Sequence, residues 1–260
     1  MTARLSTALV NKLMDTGSFK DIFANCVIDV WSGVQPATAD AAATGTLLCT
    51  VTESSGTLTA ETKAVGAFTI TGASGSLDTL TVNGVEIMGS STAYTTSVTV
   101  TADNVVAKIN ANPKNTMFVA SNIAGVVTLT AVNGLGTLPN TWVIAGTVTA
   151  ALSITSPATT PMTGGVNAVN GLNFGSAAAG VLSKDTGDTW SGTVALGGVA
   201  GWFRVRTSQD AGSAIDSAAA HPRFDGSIST SGAQMNLGSL TLTLSAPFII
   251  PAAAFTLPMA

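Results

Sequence analysis

The sequence has very little charge, and it also lacks a long hydrophobic run. Only 9% of its 260 residues are charged and 46% are hydrophobic, whereas a soluble monomer ordinarily carries about 25% charged residues. No apolar run is long enough to span a membrane, so we expect no membrane partner. The surface must be built from Thr, Ser, Asn, Gly and Ala. Because such a surface costs little to desolvate, the composition favours a building block that packs against copies of itself or against partners.

Basic residues are too few for a nucleic-acid site. The formal net charge is −4 and the sequence contains no basic stripe, so nucleic-acid binding has no electrostatic support. The N-terminal sequence MTARLSTALVNKLMDTGSFKD has no continuous apolar segment of the kind a signal peptide needs. We therefore expect a chain that folds in a cytoplasm.

Residues suited to catalysis or metal binding are scarce. His221 is the only histidine, and although Asp216 and Asp225 lie near it, no Gly-x-Ser-x-Gly motif accompanies them. Asp185 and Asp188 could hold calcium weakly, but they lack the regular ligand spacing of a known loop. We interpret both segments as polar loops, and we expect no catalytic residue, no cofactor and no metal.

The two cysteines, Cys26 and Cys49, fall in predicted strands. Alternation places both thiols on the apolar face of their strand, where they act as small hydrophobic side chains. A disulfide is possible if the strands pair, but a cytosolic origin argues against it. We predict that both cysteines are reduced.

The two ends of the sequence share one residue pattern, in which short strands are separated by glycine-containing turns. Residues 3–15 have the spacing of a short amphipathic helix, with Gly17 as its stop, and 24–32 and 45–53 alternate as strands. Residues 167–260 add further short strands between glycine turns, at 190–194, 200–206, 227–230, 240–244, 248–250 and 254–257. The first piece is too small to close a core, so the second piece must complete it.

The middle of the chain, residues 57–166, has a different pattern, in which short strands and Asn/Gly turns are accompanied by one helix. Asn83-Gly84 between alternating apolar residues is a strong hairpin signal, and a helix is predicted at 102–111, with Thr101 as its N-cap and Pro113 after its end. Strands are predicted at 67–71, 79–82, 85–87, 116–121, 125–132 and 141–149.

The sequence thus predicts a mainly β protein. A β-sandwich or barrel-like host domain, with a short N-terminal helix, comprises residues 1–56 and 167–260. An inserted small α+β, immunoglobulin-like module comprises residues 57–166. The alternative is a row of sequential domains.

Helix and strand side chains are the candidate docking residues. The four tryptophans lie in predicted strands, where packing in a core or an interface is favoured over a sugar-binding platform. The candidates are Leu5, Leu9, Leu13, Trp31 and Trp202.

The outer pieces resemble a family of tailed-bacteriophage virion proteins. The matching segments are LSTAL at 5–9, VWSGVQPATAD at 30–40, TGTLL at 44–48, GWFR at 201–204, SGAQMNL at 231–237 and FTLP at 255–258. The middle piece is similar to a module common in phage and surface proteins, through LTVNGVEI at 80–87, AKINA at 107–111 and GVVTLTA at 125–131. The resemblance implies a small β-domain without catalytic residues.

The function expected from these observations is that of a structural protein in a virion. Its partners would be capsid, neck or tail proteins and copies of itself in a homo-oligomer, and the 57–166 module would project outward. The alternative is a receptor-binding fibre component or surface adhesin that recognises its target through Tyr94 or Trp142. An enzyme such as a glycan depolymerase is disfavoured, because neither a histidine cluster nor an acid pair can be recognised.

Overall fold

The structure, a computed structural model, describes residues 3–15, 18–149, 151, 153–155, 161–210 and 221–256. Contacts divide the chain into unit 1, residues 1–60 with 168–260, and unit 2, residues 61–167. The corresponding boundaries predicted from the sequence are 57 and 166. The fold is mainly β, which confirms the predicted fold class.

Unit 1 is built around one large sheet. Its elements are β1 (Arg4–Leu5), α1 (Thr7–Asp15), α2 (Phe19–Ile22), β2 (Val27–Ser32) and β3 (Leu47–Glu53) before unit 2, and the remaining strands after it. In unit 2 the elements are β4 (Val65–Thr71), β5 (Ser76–Val82), β6 (Val85–Glu86), β7 (Thr92–Ala93), α3 (Val98–Ala111), β8 (Phe118–Ile123), β9 (Val126–Ala131), a 3₁₀ turn (Leu138–Thr141), β10 (Ile144–Thr149) and β11 (Ser153–Thr155). Unit 1 then continues with β12 (Val181–Ser183), β13 (Trp190–Thr193), β14 (Gly198–Arg206), β15 (Arg223–Ser229), β16 (Met235–Asn236), β17 (Thr241–Leu242), β18 (Pro247–Ile249) and β19 (Ala254–Thr256).

The strands of the large sheet pair in the order β1-β15-β14-β2-β3-β13-β18, with β16 beside β15 and β17 beside β14, whereas β12 and β19 pair separately. Apart from the parallel β15–β16 pair, these pairings are antiparallel. One face of the sheet is apolar, because alternate residues of the central strands, such as Val30, Phe203 and Val205, join a buried cluster with Leu9 and Phe23. This face is the core of unit 1.

The described residues of unit 2 form two further sheets and one long helix. The sheets are β11-β4-β9-β8 and β10-β5-β6, with β7 paired to β5. Ala102, Val105 and Ile109 of α3 are buried in the same cluster as the inner residues of the strands. Asn83 and Gly84 both have positive φ angles, 51° and 78°, as the predicted tight hairpin requires.

Two helix starts differ from the sequence-based predictions. Helix α3 begins at Val98, because Ser97 rather than Thr101 is its N-cap and accepts from the Val100 N–H (3.2 Å). Thr101 lies inside the helix and donates to the Ser97 carbonyl (2.8 Å). Helix α1 begins at Thr7 rather than at residue 3, since Arg4–Leu5 pairs as a strand with β15. The predicted stop at Gly17 lies outside the described residues.

Candidate functional site

Helix α1 is fixed to the sheet of unit 1 by the residue that precedes it. The Ser6 hydroxyl accepts from the Leu9 N–H (3.2 Å), which is the hydrogen bond of an N-cap. The same oxygen accepts from the Arg223 N–H (2.8 Å) and donates to the His221 carbonyl (3.0 Å). Because Ser6 is fully buried, the start of the helix is joined directly to β15.

A carboxylate gives the same helix a second anchor. Asp40 accepts from the N–H of Thr7 (3.0 Å) and from its hydroxyl (2.7 Å). Negative charge is stabilising at a helix N-terminus, where unpaired N–H groups and the helix dipole favour it. Two separate anchors, Ser6 and Asp40, therefore hold the N-terminus of helix α1.

The two faces of α1 differ in exposure. Ala8 and Leu9 are buried, whereas Val10, Leu13 and Met14 are 40%, 38% and 81% exposed. The spacing i, i+3, i+4 places these three side chains on one face of the helix. We call them the α1 stripe. An exposed apolar stripe on a rigid helix is a typical docking surface, because little conformational entropy is lost when it is covered.

Only two of the five predicted docking residues are exposed. Leu13 belongs to the α1 stripe, and Leu5, just before the helix, is 44% exposed. For these two, docking stays a prediction. Leu9, Trp31 and Trp202 are buried within the chain, so the structure corrects the expectation that their side chains meet a partner.

The two tryptophans belong to a buried layer on the second face of the sheet. Trp31 and Trp202 stack with ring centroids 5.8 Å apart and planes at 13°. The Trp202 Nε1 donates to the Thr44 carbonyl (3.2 Å), so the loop between β2 and β3 lies over this face. The alternation of Trp202 with Phe203 along β14 places one ring on each side of the sheet.

Three ion pairs share this buried face. Arg204 binds Asp225 through two hydrogen bonds of 2.7 Å. The other pairs are Arg223 with Asp210 (2.5 and 3.0 Å) and Arg206 with Asp29 (2.8 Å). This layer was not predicted from the sequence, although Arg204 and Arg206 alternate with apolar residues in β14.

The ion pairs also hold the loop that covers them. Arg204 Nη1 donates to the Ala41 carbonyl (3.0 Å), and Arg223 Nη1 donates to the Asp40 carbonyl (3.4 Å). Since Asp40 caps α1, the buried layer and the anchored helix are linked through one short segment. Burial raises the pKa of the Asp225 carboxyl above its usual value, despite the opposing effect of Arg204.

Those residues considered for chemistry that the structure describes make structural contacts. Asp225, which lies near His221 in sequence, is bound by Arg204, and Asp216 lies outside the described residues. Asp185 accepts from the Gly187 N–H (2.8 Å) within a local turn, and Asp188 accepts from the N–H of the more distant Asn173 (2.7 Å). Within the described part of the chain, no group of three or more His, Cys, Asp or Glu residues is placed to hold a metal ion.

The cysteines are buried and free. Cys49 pairs with Val30 across β2 and β3, whereas Cys26 lies four residues before Val30. Four residues of extended chain span about 13 Å, too far for a disulfide, which needs Cα atoms within about 7 Å. Burial raises the pKa of both thiols, that of Cys49 to about 11.

The aromatic residues considered for receptor binding are packed rather than presented. Tyr94 and Trp142 are both partly buried against the core of unit 2. The Trp142 ring meets Phe118 edge-on, with centroids 6.1 Å apart.

Comparisons with known proteins add no identification. The chain matches no protein-family model, no curated protein and no solved structure. None of the helices in the described ranges is both long enough and apolar enough to cross a membrane.

Proposed function

We propose that the chain is a non-enzymatic structural component of a tailed-phage virion. It would bind capsid, neck or tail proteins and copies of itself, as a capsid decoration or head–tail accessory protein. The observation that carries the proposal is the α1 stripe, an exposed apolar surface on a helix anchored by Ser6 and Asp40.

The low charge of the chain supports the same proposal. Three of its ten basic residues lie in the ion pairs of the covered sheet face. The surface thus carries even less charge than the composition indicates. Such a surface is desolvated cheaply when many copies pack side by side, as the symmetric assemblies of a particle require.

Binding to particles that lack this chain tests the proposal. Burying an apolar side chain of the size of Leu or Met contributes about 1.5–3 kcal/mol. Replacing Leu13 and Met14 by glutamate should therefore weaken co-sedimentation of the purified chain with such particles by about 100-fold or more. Val34→Glu is the matched control, since Val34 is also exposed (71%) but lies in a loop.

The control variant should bind like the unmodified chain. If the Leu13→Glu/Met14→Glu variant also binds like the unmodified chain, the α1 stripe is not the docking surface. If the unmodified chain does not bind to particles at all, the virion proposal fails.

A further inference from the structure

Asparagine followed by glycine occurs three times in the chain, each time after valine and before an aliphatic residue. The three sites are Asn83-Gly84, Asn133-Gly134 and Asn170-Gly171. The second and third lie in the same five-residue sequence, AVNGL, at 131–135 and 168–172. Because the neighbours are so similar, a difference in reactivity among the three sites must come from the fold.

The chemistry open to such a site is loss of the side-chain amide. Asparagine is a thermolabile residue, and a glycine after it has no side chain to block the approach of its nitrogen. That nitrogen attacks the asparagine Cγ, so a five-membered succinimide ring forms, the Cγ–Nδ2 bond breaks, and the proton of the N–H leaves with Nδ2 as ammonia. Water then opens the ring at either carbonyl and gives aspartate or isoaspartate. The reaction therefore needs a nitrogen that can lose its proton and can reach Cγ.

The first site is exposed and unrestrained. Asn83 and Gly84 lie at the tip of the β5–β6 hairpin and are both exposed. Apart from the chain neighbours of Gly84, no described atom lies within 4 Å of the position that a side chain on Gly84 would take. Among the described residues, neither the Asn83 side chain nor the Gly84 N–H has a hydrogen-bond partner. Since β6 contains only 2 residues, the turn can open at the loss of few hydrogen bonds.

A buried carboxylate protects the second site. The Gly134 N–H donates to one oxygen of Glu61 (2.6 Å), and the Gly136 N–H donates to the other (3.2 Å). The attacking nitrogen must lose its proton, and a neighbouring negative charge disfavours the anion that this leaves. The attack would also break a charge-assisted hydrogen bond. Because Glu61 is 7% exposed, solvent ions screen its charge only weakly.

A hydrogen bond and close packing protect the third site. The Asn170 Nδ2, which would have to leave, donates to the Thr57 carbonyl (2.8 Å). Gly171 is buried, and a side chain on it would lie 2.6 Å from Cα of Asn25. Packing this close opposes the backbone rotation that would bring the Gly171 nitrogen to Cγ of Asn170.

We infer that Asn83 is a site of spontaneous deamidation in the folded protein, and that the fold protects Asn133 and Asn170. Conversion to aspartate adds one negative charge to the chain and keeps the turn, since Asp-Gly also forms this hairpin. Conversion to isoaspartate inserts an extra carbon into the backbone of the loop and should disturb the pairing of Val82 with Val85. The chain thus carries a slow chemical change that is confined to one hairpin of unit 2.

Peptide mapping of the purified full-length chain after incubation at mildly alkaline pH tests the inference. Liquid chromatography with mass spectrometry separates the aspartate and isoaspartate peptides from the asparagine form. The Asn83 peptide should convert about tenfold or more faster than the Asn133 and Asn170 peptides, because hydrogen bonds of this kind restrain the two slower sites. Asn83→Gln is the matched variant, since its longer side chain cannot form the five-membered ring. It should lose the reaction at position 83 and leave the other two rates unchanged.

The same chain unfolded in guanidinium chloride gives the reference rates. There the three sites should convert at similar rates, because their neighbours in sequence are so alike. Equal rates at the three sites of the folded chain would overturn the inference. An Asn83 peptide that stays intact in the folded chain while all three sites react in the unfolded chain would overturn it as well.

Discussion

Replacing Arg204 by methionine removes the guanidinium from a fully buried ion pair. Asp225 then keeps its position but loses two hydrogen bonds of 2.7 Å, and the Ala41 carbonyl loses its donor. Leaving one partner of a buried pair unpaired costs about 3–5 kcal/mol. For a unit of about 150 residues, this loss corresponds to a drop in melting temperature of roughly 6–20 °C.

The double variant Arg204→Met/Asp225→Leu separates the ion pair from simple packing. With both charges gone, no buried carboxylate is left without a partner. Replacing a buried ion pair by apolar residues often changes the stability of the folded state very little. The Ala41 carbonyl then lacks the hydrogen bond from Arg204, and the loss costs roughly 1–3 kcal/mol. The double variant should therefore be more stable than Arg204→Met alone.

Urea unfolding followed by tryptophan fluorescence measures these changes. The probe reports mainly on unit 1, which holds Trp31, Trp190 and Trp202. Arg4→Met is the control, because Arg4 is half-buried and makes a contact of 3.5 Å with the Gln35 carbonyl; it should cost less than about 1 kcal/mol. A loss below about 1 kcal/mol for Arg204→Met, or a double variant less stable than the single one, would refute the reasoning.

Three further predictions concern single residues. Burial raises the pKa of both thiols, so Cys26 and Cys49 should stay unlabelled by iodoacetamide at mildly alkaline pH until the chain unfolds; labelling of the native chain, read by mass spectrometry, would contradict this. Gly84→Ala should lower the stability of the folded state by about 1–2 kcal/mol in thermal unfolding, because the φ angle of +78° at Gly84 strains a residue with a side chain. Gly238→Ala is the control, since Gly238 also has open space around it and no positive φ angle, and its stability should hardly change. Equal losses in the two variants would contradict the left-handed turn at Gly84. Asp40→Ala should lower the stability of the folded state by about 1 kcal/mol and should speed amide hydrogen exchange in the first turn of α1. Unchanged exchange in that turn would show that Asp40 does not anchor the helix.

Local patterns predicted the strands better than the helix starts. Alternation gave strands near those of the structure, and Asn83-Gly84 gave the hairpin turn. The start of α3 was not predicted because its first residues are weak helix formers whose pattern is typical of a strand. These residues are Val98, Thr99 and Val100. The first turn of the predicted N-terminal helix is a strand instead, since Arg4 pairs with Asp225, far away in sequence.

The candidate site was predictable only in part. The apolar spacing of α1 identifies an amphipathic helix, but it does not tell which apolar side chains the rest of the chain will cover. Leu9 is buried and Leu13 is partly exposed, although the two are four residues apart. The ion pairs were missed because they depend on strands brought together from distant parts of the sequence and on the loop that covers them.

Immunogold electron microscopy of intact particles, with an antibody against residues 57–166, tests the central claim most directly. We expect label on the particle. Label spread over the head would identify a decoration protein, and label at the neck or tail would identify a connector, collar or fibre role. Particles without label would contradict the virion proposal and favour the surface adhesin.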